Sequence, residues 1–260
     1  MSPLPLAAAR TSDEPGAPRL AAGYVAALPL FLAYELGVAL AEPAARAPAE
    51  RVLALGLEFL GPRLQLVRVA ALLVLAGLAL LRLDRQGLLE PGARARVLAR
   101  PAGEGVVAGF LLAPALVLLQ GWLGAAPLEV ARTPARALDA ALRLIGSAPW
   151  EELLFRVGAY GGLFLLTRRA LAFLGLDARA AVWPAEFAAL LGSALLFAAF
   201  HLASAQRLLG SAGEPFHAAL FTWRVSAGIL LGGLFRWRSF GAAAWAHALF
   251  NLGIALGLRP

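Results

Sequence analysis

The stretch PWEELLFRVGAYGGLFLL, residues 149–166, places three charged side chains at the head of an otherwise apolar run. These are Glu151, Glu152 and Arg156, which fall within six consecutive positions. A charged group at mid-membrane depth costs about 2.5–3.5 kcal/mol on insertion scales, and such groups mark functional sites by default. The remaining sequence can therefore be analysed as the surroundings of these three residues.

The composition identifies the class of protein. The chain has 260 residues, of which 60% are hydrophobic, and its mean hydropathy is +0.74. Soluble domains are apolar at only about half of their positions. Here the apolar residues form runs of about twenty, the length of a helix that crosses a bilayer. We expect an all-α fold, a polytopic transmembrane bundle of about seven spans, or eight. A β-barrel would show short alternating segments instead.

The apolar runs locate the predicted spans. They cover residues 20–41, 64–83, 105–123, 148–166, 182–203, 216–235 and 240–258. Residues 1–19 are rich in Pro and Ala without periodicity, which predicts a disordered tail before a single transmembrane domain, residues 20–260. No internal repeat is visible.

The segments between the spans carry three further predictions. Residues 84–104 are expected to form an Arg-rich loop, and residues 128–145 a surface amphipathic helix. Residues 146–149, Gly-Ser-Ala-Pro, are expected to break that helix and start the next one, with Ser147 as the N-cap.

Charge and residue usage indicate the compartment and the partners. The net charge is +7, and every basic residue is Arg. Most Arg residues lie between the apolar runs, which favours contacts with the lipid bilayer over nucleic acid. The absence of Cys excludes disulfides, thiolate metal sites and cysteine nucleophiles. Abundant Ala, Leu and Arg without Lys indicate a GC-rich bacterial genome, so we expect a multi-pass protein of the bacterial inner membrane.

Polar residues in the last four spans are predicted to meet. If successive spans alternate in direction, Glu151 near the start of the fourth span and His201 near the end of the fifth lie on the same side of the membrane. His247 and Asn251 are four residues apart in the seventh span, and therefore share a helix face. Their depth matches that of the other two residues.

Helix geometry separates the two adjacent acids. Glu152 and Arg156 are four residues apart with the acid first, the favourable order for an ion pair. Glu151 lies about 100° round the helix from Glu152. We therefore expect Glu152 to be neutralised by Arg156, while Glu151 faces a cavity and is available for general acid–base chemistry.

Three motifs on successive late spans carry a family resemblance. Glu-Glu-x-x-x-Arg, Phe-x-x-x-His and His-x-x-x-Asn, in that order, resemble the CPBP family of intramembrane proteases. That family includes the CAAX prenyl endoproteases and the bacterial Abi, or bacteriocin-processing, proteins. The resemblance covers residues 147–258 and places a catalytic core in the last four spans. It implies a glutamic-type endopeptidase that hydrolyses a peptide bond of a membrane-anchored or hydrophobic peptide substrate.

The resemblance also implies a role for each motif residue. Glu151 and His201 would activate a water molecule, His247 and Asn251 would stabilise the oxyanion, and Glu152 and Arg156 would orient the site. Phe197 and Phe155 are further candidates for the cavity lining. Glu35 and His217 could also line it, although a packing or interface contact is the expected role of Glu35 and an interfacial position that of His217. Arg224, inside the sixth span, is expected to pair with Glu35 or another acid, or to line the cavity.

Several alternatives remain open from the sequence. Glu151, His201 and His247 could bind zinc with an open position for water. Histidines on separate helices favour chemistry without a cofactor, so we expect none. A non-catalytic immunity or scaffold protein would not need four buried polar groups. A proton-coupled transporter would be expected to show internal repeats and broken helices in paired positions.

Overall fold

A computed structural model describes residues 17–40, 46–124 and 137–255, which are helical apart from short connections. The helices are α1 (Ala17–Leu40), α2 (Pro48–Leu53), α3 (Arg63–Arg85), α4 (Arg94–Trp122), α5 (Ala137–Glu152), α6 (Gly161–Phe173), α7 (Val182–Phe200), α8 (Ala203–Leu208), α9 (Ala218–Trp237) and α10 (Phe240–Ala255). A π-helical segment, Leu153–Tyr160, joins α5 to α6. The predicted polytopic helical bundle is confirmed.

Most of the predicted spans are recovered as long apolar helices. Within the described ranges, five helices are long and apolar enough to cross a membrane: α1 from Arg19, α3, α4, α7 and α9. The two other predicted spans correspond to α10 and to the continuous helix from α5 through the π-helical segment to α6. Both pack against members of the set of five. The predicted tail lies almost entirely outside the described residues.

The predicted helix break at residues 146–149 is wrong. The helix runs through this segment, and Ser147 Oγ donates to the Leu144 carbonyl oxygen, 3.0 Å away, instead of capping a new helix. At Gly146, α5 lies very close to α1: a Cβ built on this glycine would lie 2.4 Å from Tyr34 Cβ. Neighbouring helices commonly stabilise proline in such a helix, here Pro149.

Two neighbouring predictions also change. The expected loop over residues 84–104 is helical in its second half, because α4 begins at Arg94 and continues through Pro101. Residues 137–145, predicted as the end of a separate surface helix, form the first turns of α5. The earlier part of that prediction, residues 128–136, lies outside the described residues.

Small residues bring α10 into the middle of the bundle. The side chains of Ala242, Ala243 and Ala244 are fully buried. At the start of the same helix, a Cβ on Gly241 would lie 2.5 Å from the Gly23 carbonyl oxygen of α1. Small side chains allow helices in membranes to approach this closely. The arrangement places His247, two turns further along α10, in the interior of the protein.

A buried ionic network connects α1, α2 and α3. Arg68 donates from Nη2 to Glu35 Oε2 at 2.9 Å and from Nη1 to Glu50 Oε1 at 2.6 Å. Burial raises the pKa of the Glu50 carboxyl, which lies in the short helix α2. Glu35 is therefore occupied by Arg68, a packing contact of the kind expected for it, and its possible place in the lining of the cavity around Glu151 is wrong.

The contact at Gly146 yields a stability prediction. Gly146→Ala should lower the free energy of unfolding by about 1–3 kcal/mol, because the added methyl group overlaps Tyr34 and forces α1 and α5 apart. Gly77→Ala is the matched control, since a Cβ there meets no described atom within 4 Å and alanine favours the helix. Thermal unfolding in detergent measures both variants. Equal stability of Gly146→Ala and the native protein would contradict the packing argument.

Candidate active site

Four of the predicted polar residues line one cavity of about 230 Å³. Glu151 lies near the end of α5, and His201 immediately follows α7. His247 and Asn251 both lie on α10. The predicted convergence of residues from three separate helices is therefore present in the structure.

The Glu151 carboxylate lies between two imidazole rings. Its Oε2 atom is 3.9 Å from His201 Nε2 and 3.7 Å from His247 Nε2. Both separations exceed an ordinary hydrogen bond, which suits groups that act on one shared water molecule. The side chains of Glu151 and His201 keep 15% and 21% of their surface exposed, so the site is accessible from the cavity.

His201 is fixed by the backbone of α7, the helix that it follows. Its Nδ1 lies 2.8 Å from the Phe197 carbonyl oxygen. Because a carbonyl can only accept, Nδ1 carries a hydrogen, and the neutral ring presents the Nε2 lone pair towards Glu151. The Phe197 ring lines the cavity and packs edge-on against His201, with ring centroids 4.8 Å apart.

His247 is held by the second acid of the motif. Its Nδ1 lies 2.9 Å from Glu152 Oε1, while Glu152 Oε2 accepts from Arg156 Nε at 3.0 Å. The predicted ion pair between Glu152 and Arg156 is present and fully buried. The Arg156 guanidinium also lies over the Phe197 ring, 5.4 Å from its centroid. Glu152 therefore sets the orientation of a histidine 95 positions later, a contact that helical spacing could not reveal.

The π-helical segment begins directly after the two acids. At its end, the backbone N–H of Gly161 reaches the Arg156 carbonyl oxygen, five residues earlier. Such wider turns are frequent at functional sites. Phe155, in the first turn of this segment, packs edge-on against Phe197 and Phe200. It supports the wall of the cavity from behind and is not among the lining residues, which corrects its predicted position.

Asn251 is anchored at the edge of the cavity. Its Nδ2 donates to the Leu144 carbonyl oxygen at 3.1 Å. An amide nitrogen carries two hydrogens, so the second remains available to a ligand. The backbone of α5 at Leu144 thus positions a cavity residue on another helix.

The ion pair between Arg224 and Glu214 forms another wall of the cavity, and the sequence indicated only one of its two partners. Arg224 pairs with Glu214 through two nitrogens, and not with Glu35, and both residues line the cavity. Backbone hydrogen bonds fix Glu214: its N–H donates to the His201 carbonyl, and its carbonyl accepts from Ala203 N–H. The sequence indicated a role for Arg224 only through its position as an isolated cation inside a predicted span. Nothing in the sequence indicated that Glu214 lines the cavity.

His217 lies outside the cavity. It precedes α9, its side chain is exposed, and its carbonyl accepts the N–H of Phe221 at the start of that helix. Of the two positions considered for His217, the place in the cavity lining is therefore wrong, whereas Phe197 lines the cavity.

The donor atoms do not form a ready-made zinc site. Zinc requires ligand atoms about 2.0–2.2 Å from a common centre. Over the described ranges, no three His, Asp or Glu side chains are grouped so that they could hold a metal ion. His247 contacts Glu152 through Nδ1 and keeps Nε2 facing Glu151.

Comparison with known proteins supports the motif analysis. Residues 133–253 match the family described as type II CAAX prenyl endopeptidase Rce1-like. This segment contains all three motifs, and it confirms the resemblance to CAAX-type proteases. No curated protein and no solved structure matches the chain.

Proposed function

We propose that this chain, whose residues 133–253 match the Rce1-like family of type II CAAX prenyl endopeptidases, is an intramembrane endopeptidase with Glu151 as its general base. One observation supports this most strongly. The Glu151 carboxylate faces two imidazole nitrogens at 3.7–3.9 Å inside a cavity of a membrane-type helical bundle. The proposed substrate is a membrane-anchored or hydrophobic peptide.

The first step is attack by water. A water molecule between Glu151 and His201 gives one hydrogen bond to the carboxylate and one to the Nε2 lone pair of the neutral imidazole. As the water oxygen bonds to the peptide carbonyl carbon, its proton passes to Glu151 and the carbonyl π electrons move to oxygen. General base catalysis of this kind contributes about 10²–10⁴-fold.

The resulting oxyanion is stabilised by α10. His247 donates to Glu152 through Nδ1, and in its protonated form the Nε2–H faces the cavity. Asn251 offers its second amide hydrogen. Preorganised donors aimed at developing charge are worth about 2.7–4 kcal/mol each. The Glu152 carboxylate favours the imidazolium, and Arg156 keeps that carboxylate in place.

Collapse of the tetrahedral intermediate completes the reaction. The carbonyl re-forms, the carbon–nitrogen bond breaks, and Glu151 returns its proton to the leaving amine. One water is consumed, and a carboxylic acid and an amine are released. The acid then gives its proton to the amine in solution, which yields a carboxylate and an ammonium ion, and each side chain recovers its starting state. The apolar part of the cavity lining, including Leu116 and Phe250, suits a hydrophobic side chain beside the scissile bond.

Comparative membrane proteomics tests the proposed function. Cells that carry His201→Ala should accumulate uncleaved membrane precursors that native cells process, because the attacking water loses its imidazole partner. His217→Ala is the matched control, since this histidine is exposed and lies outside the cavity. If a folded His201→Ala protein leaves every precursor processed as in native cells, the proposed function is wrong.

Metal analysis tests the choice between chemistry without a cofactor and the zinc alternative. We expect purified, active enzyme to contain zinc well below one ion per chain, and to keep its activity after treatment with a chelator. Elemental analysis and the cleavage rate before and after chelation make the comparison. Stoichiometric zinc whose removal abolishes cleavage would reassign Glu151, His201 and His247 as ligands.

A further inference from the structure

A second cavity, of about 950 Å³, lies at the opposite end of the bundle from Glu151. It is formed by the end of α6, the start of α7 and the end of α9. His201 follows the last residue of α7, whereas Val182 at its start lines this second cavity. A helix rises about 1.5 Å per residue, and α7 is long enough to cross a membrane. The two cavities, at opposite ends of α7, therefore face different membrane surfaces.

Basic side chains dominate the charge of this cavity. Its lining includes four arginines, Arg19, Arg168, Arg179 and Arg236. Glu186 is the one acid in the lining, and it accepts from Arg236 and from the Tyr160 hydroxyl. Asp177 is exposed and accepts the backbone N–H of Arg179. Arg236 is paired with Glu186, and the lining as a whole carries more guanidinium groups than carboxylates, so its own charge is positive.

The cavity also has an interfacial and an apolar part. Trp183 and Trp237 line it with 80% and 72% of their surface exposed, which is typical of indoles at the level of lipid headgroups. Phe164, Phe187 and Leu190 line the same cavity. A guanidinium-rich end and an apolar wall thus occur in a single recess between membrane helices.

We infer that this recess binds an anionic phospholipid, with its phosphate among the arginines and an acyl chain along the apolar wall. Guanidinium groups match phosphate oxygens in bidentate geometry, and basic recesses between membrane helices suit anionic headgroups. A soluble phosphate would leave the aromatic and aliphatic lining without a partner, which favours the lipid. The inference is independent of the proposed proteolysis.

Native mass spectrometry tests this inference on the full chain. The protein is equilibrated with mixed micelles of phosphatidylglycerol and phosphatidylcholine, and bound lipid is counted after detergent removal. The native protein should retain phosphatidylglycerol selectively. The variant Arg19→Gln/Arg179→Gln, which changes two exposed side chains, should weaken retention by about tenfold or more.

Arg96→Gln is the matched control, because Arg96 is an exposed arginine near the start of α4, at the same end of the bundle but outside the cavity. It should retain phosphatidylglycerol like the native protein. Equal retention by all three proteins, or equal retention of both lipids, would overturn the inference. Displacement of the lipid by excess inorganic phosphate would also overturn it, in favour of a soluble anion.

Discussion

Glu151→Gln should reduce kcat for peptide hydrolysis by about 10²–10⁴-fold, while KM changes little. The substitution preserves the size of the side chain and removes only its capacity to accept the proton of the attacking water. Glutamine can still occupy the position between the two imidazoles, so the substrate-binding surface is retained. The measurement is the initial cleavage rate of a substrate found by proteomics, with enzyme and substrate reconstituted in the same vesicles.

Two comparisons make this result specific. Glu104→Gln removes a partly exposed carboxylate that pairs with Arg100 on α4, and it should leave kcat unchanged. Glu152→Gln should lower kcat, because the amide oxygen can still accept from His247 but no longer carries the charge that favours the imidazolium. A Glu151→Gln enzyme that keeps activity close to the native level would exclude Glu151 as the base, even if Glu152→Gln is inactive.

The sequence predicted the site better than its surroundings. Glu151, His201, His247 and Asn251 could be brought together from span direction and helical periodicity alone, because helices that cross a bilayer fix both depth and facing side. The same reasoning predicted the Glu152–Arg156 pair, a local contact within one turn. The depth of a residue in a span and the helix face on which it lies both follow from regular helical geometry. The pattern of apolar residues in the sequence already determines that geometry.

The incorrect or incomplete predictions concern residues whose conformation or partner depends on a neighbouring helix. Gly146 and Pro149 are helix breakers in water, but here Gly146 accommodates Tyr34 and the helix continues through both. For Glu35 a packing contact was the expected role, but the sequence did not identify Arg68 as its partner. At Gly146 and Pro149 tertiary packing overrode a local preference.

The contact between Glu35 and Arg68 also makes Arg68 important for the stability of the folded protein. Arg68 lies between two carboxylates, Glu35 and Glu50, and all three side chains are almost completely buried. The Tyr34 hydroxyl, 3.5 Å from Glu50 Oε2, and Gln65, which donates to the Glu35 carbonyl oxygen, complete the surroundings. Removing the cation would leave two acids in an apolar environment, with no positive charge between them.

Arg68→Met should therefore lower the free energy of unfolding by about 3–5 kcal/mol, the usual consequence of removing one partner from a buried ionic network. Adding Glu35→Gln and Glu50→Gln to the same chain should restore a large part of that loss, because neutral amides carry a smaller desolvation penalty than unpaired carboxylates. Arg82→Met, at an exposed arginine of the same helix, is the control and should change little. Denaturant titration in detergent compares the four proteins. If the triple variant is less stable than Arg68→Met alone, uncompensated charge is not the reason for the loss.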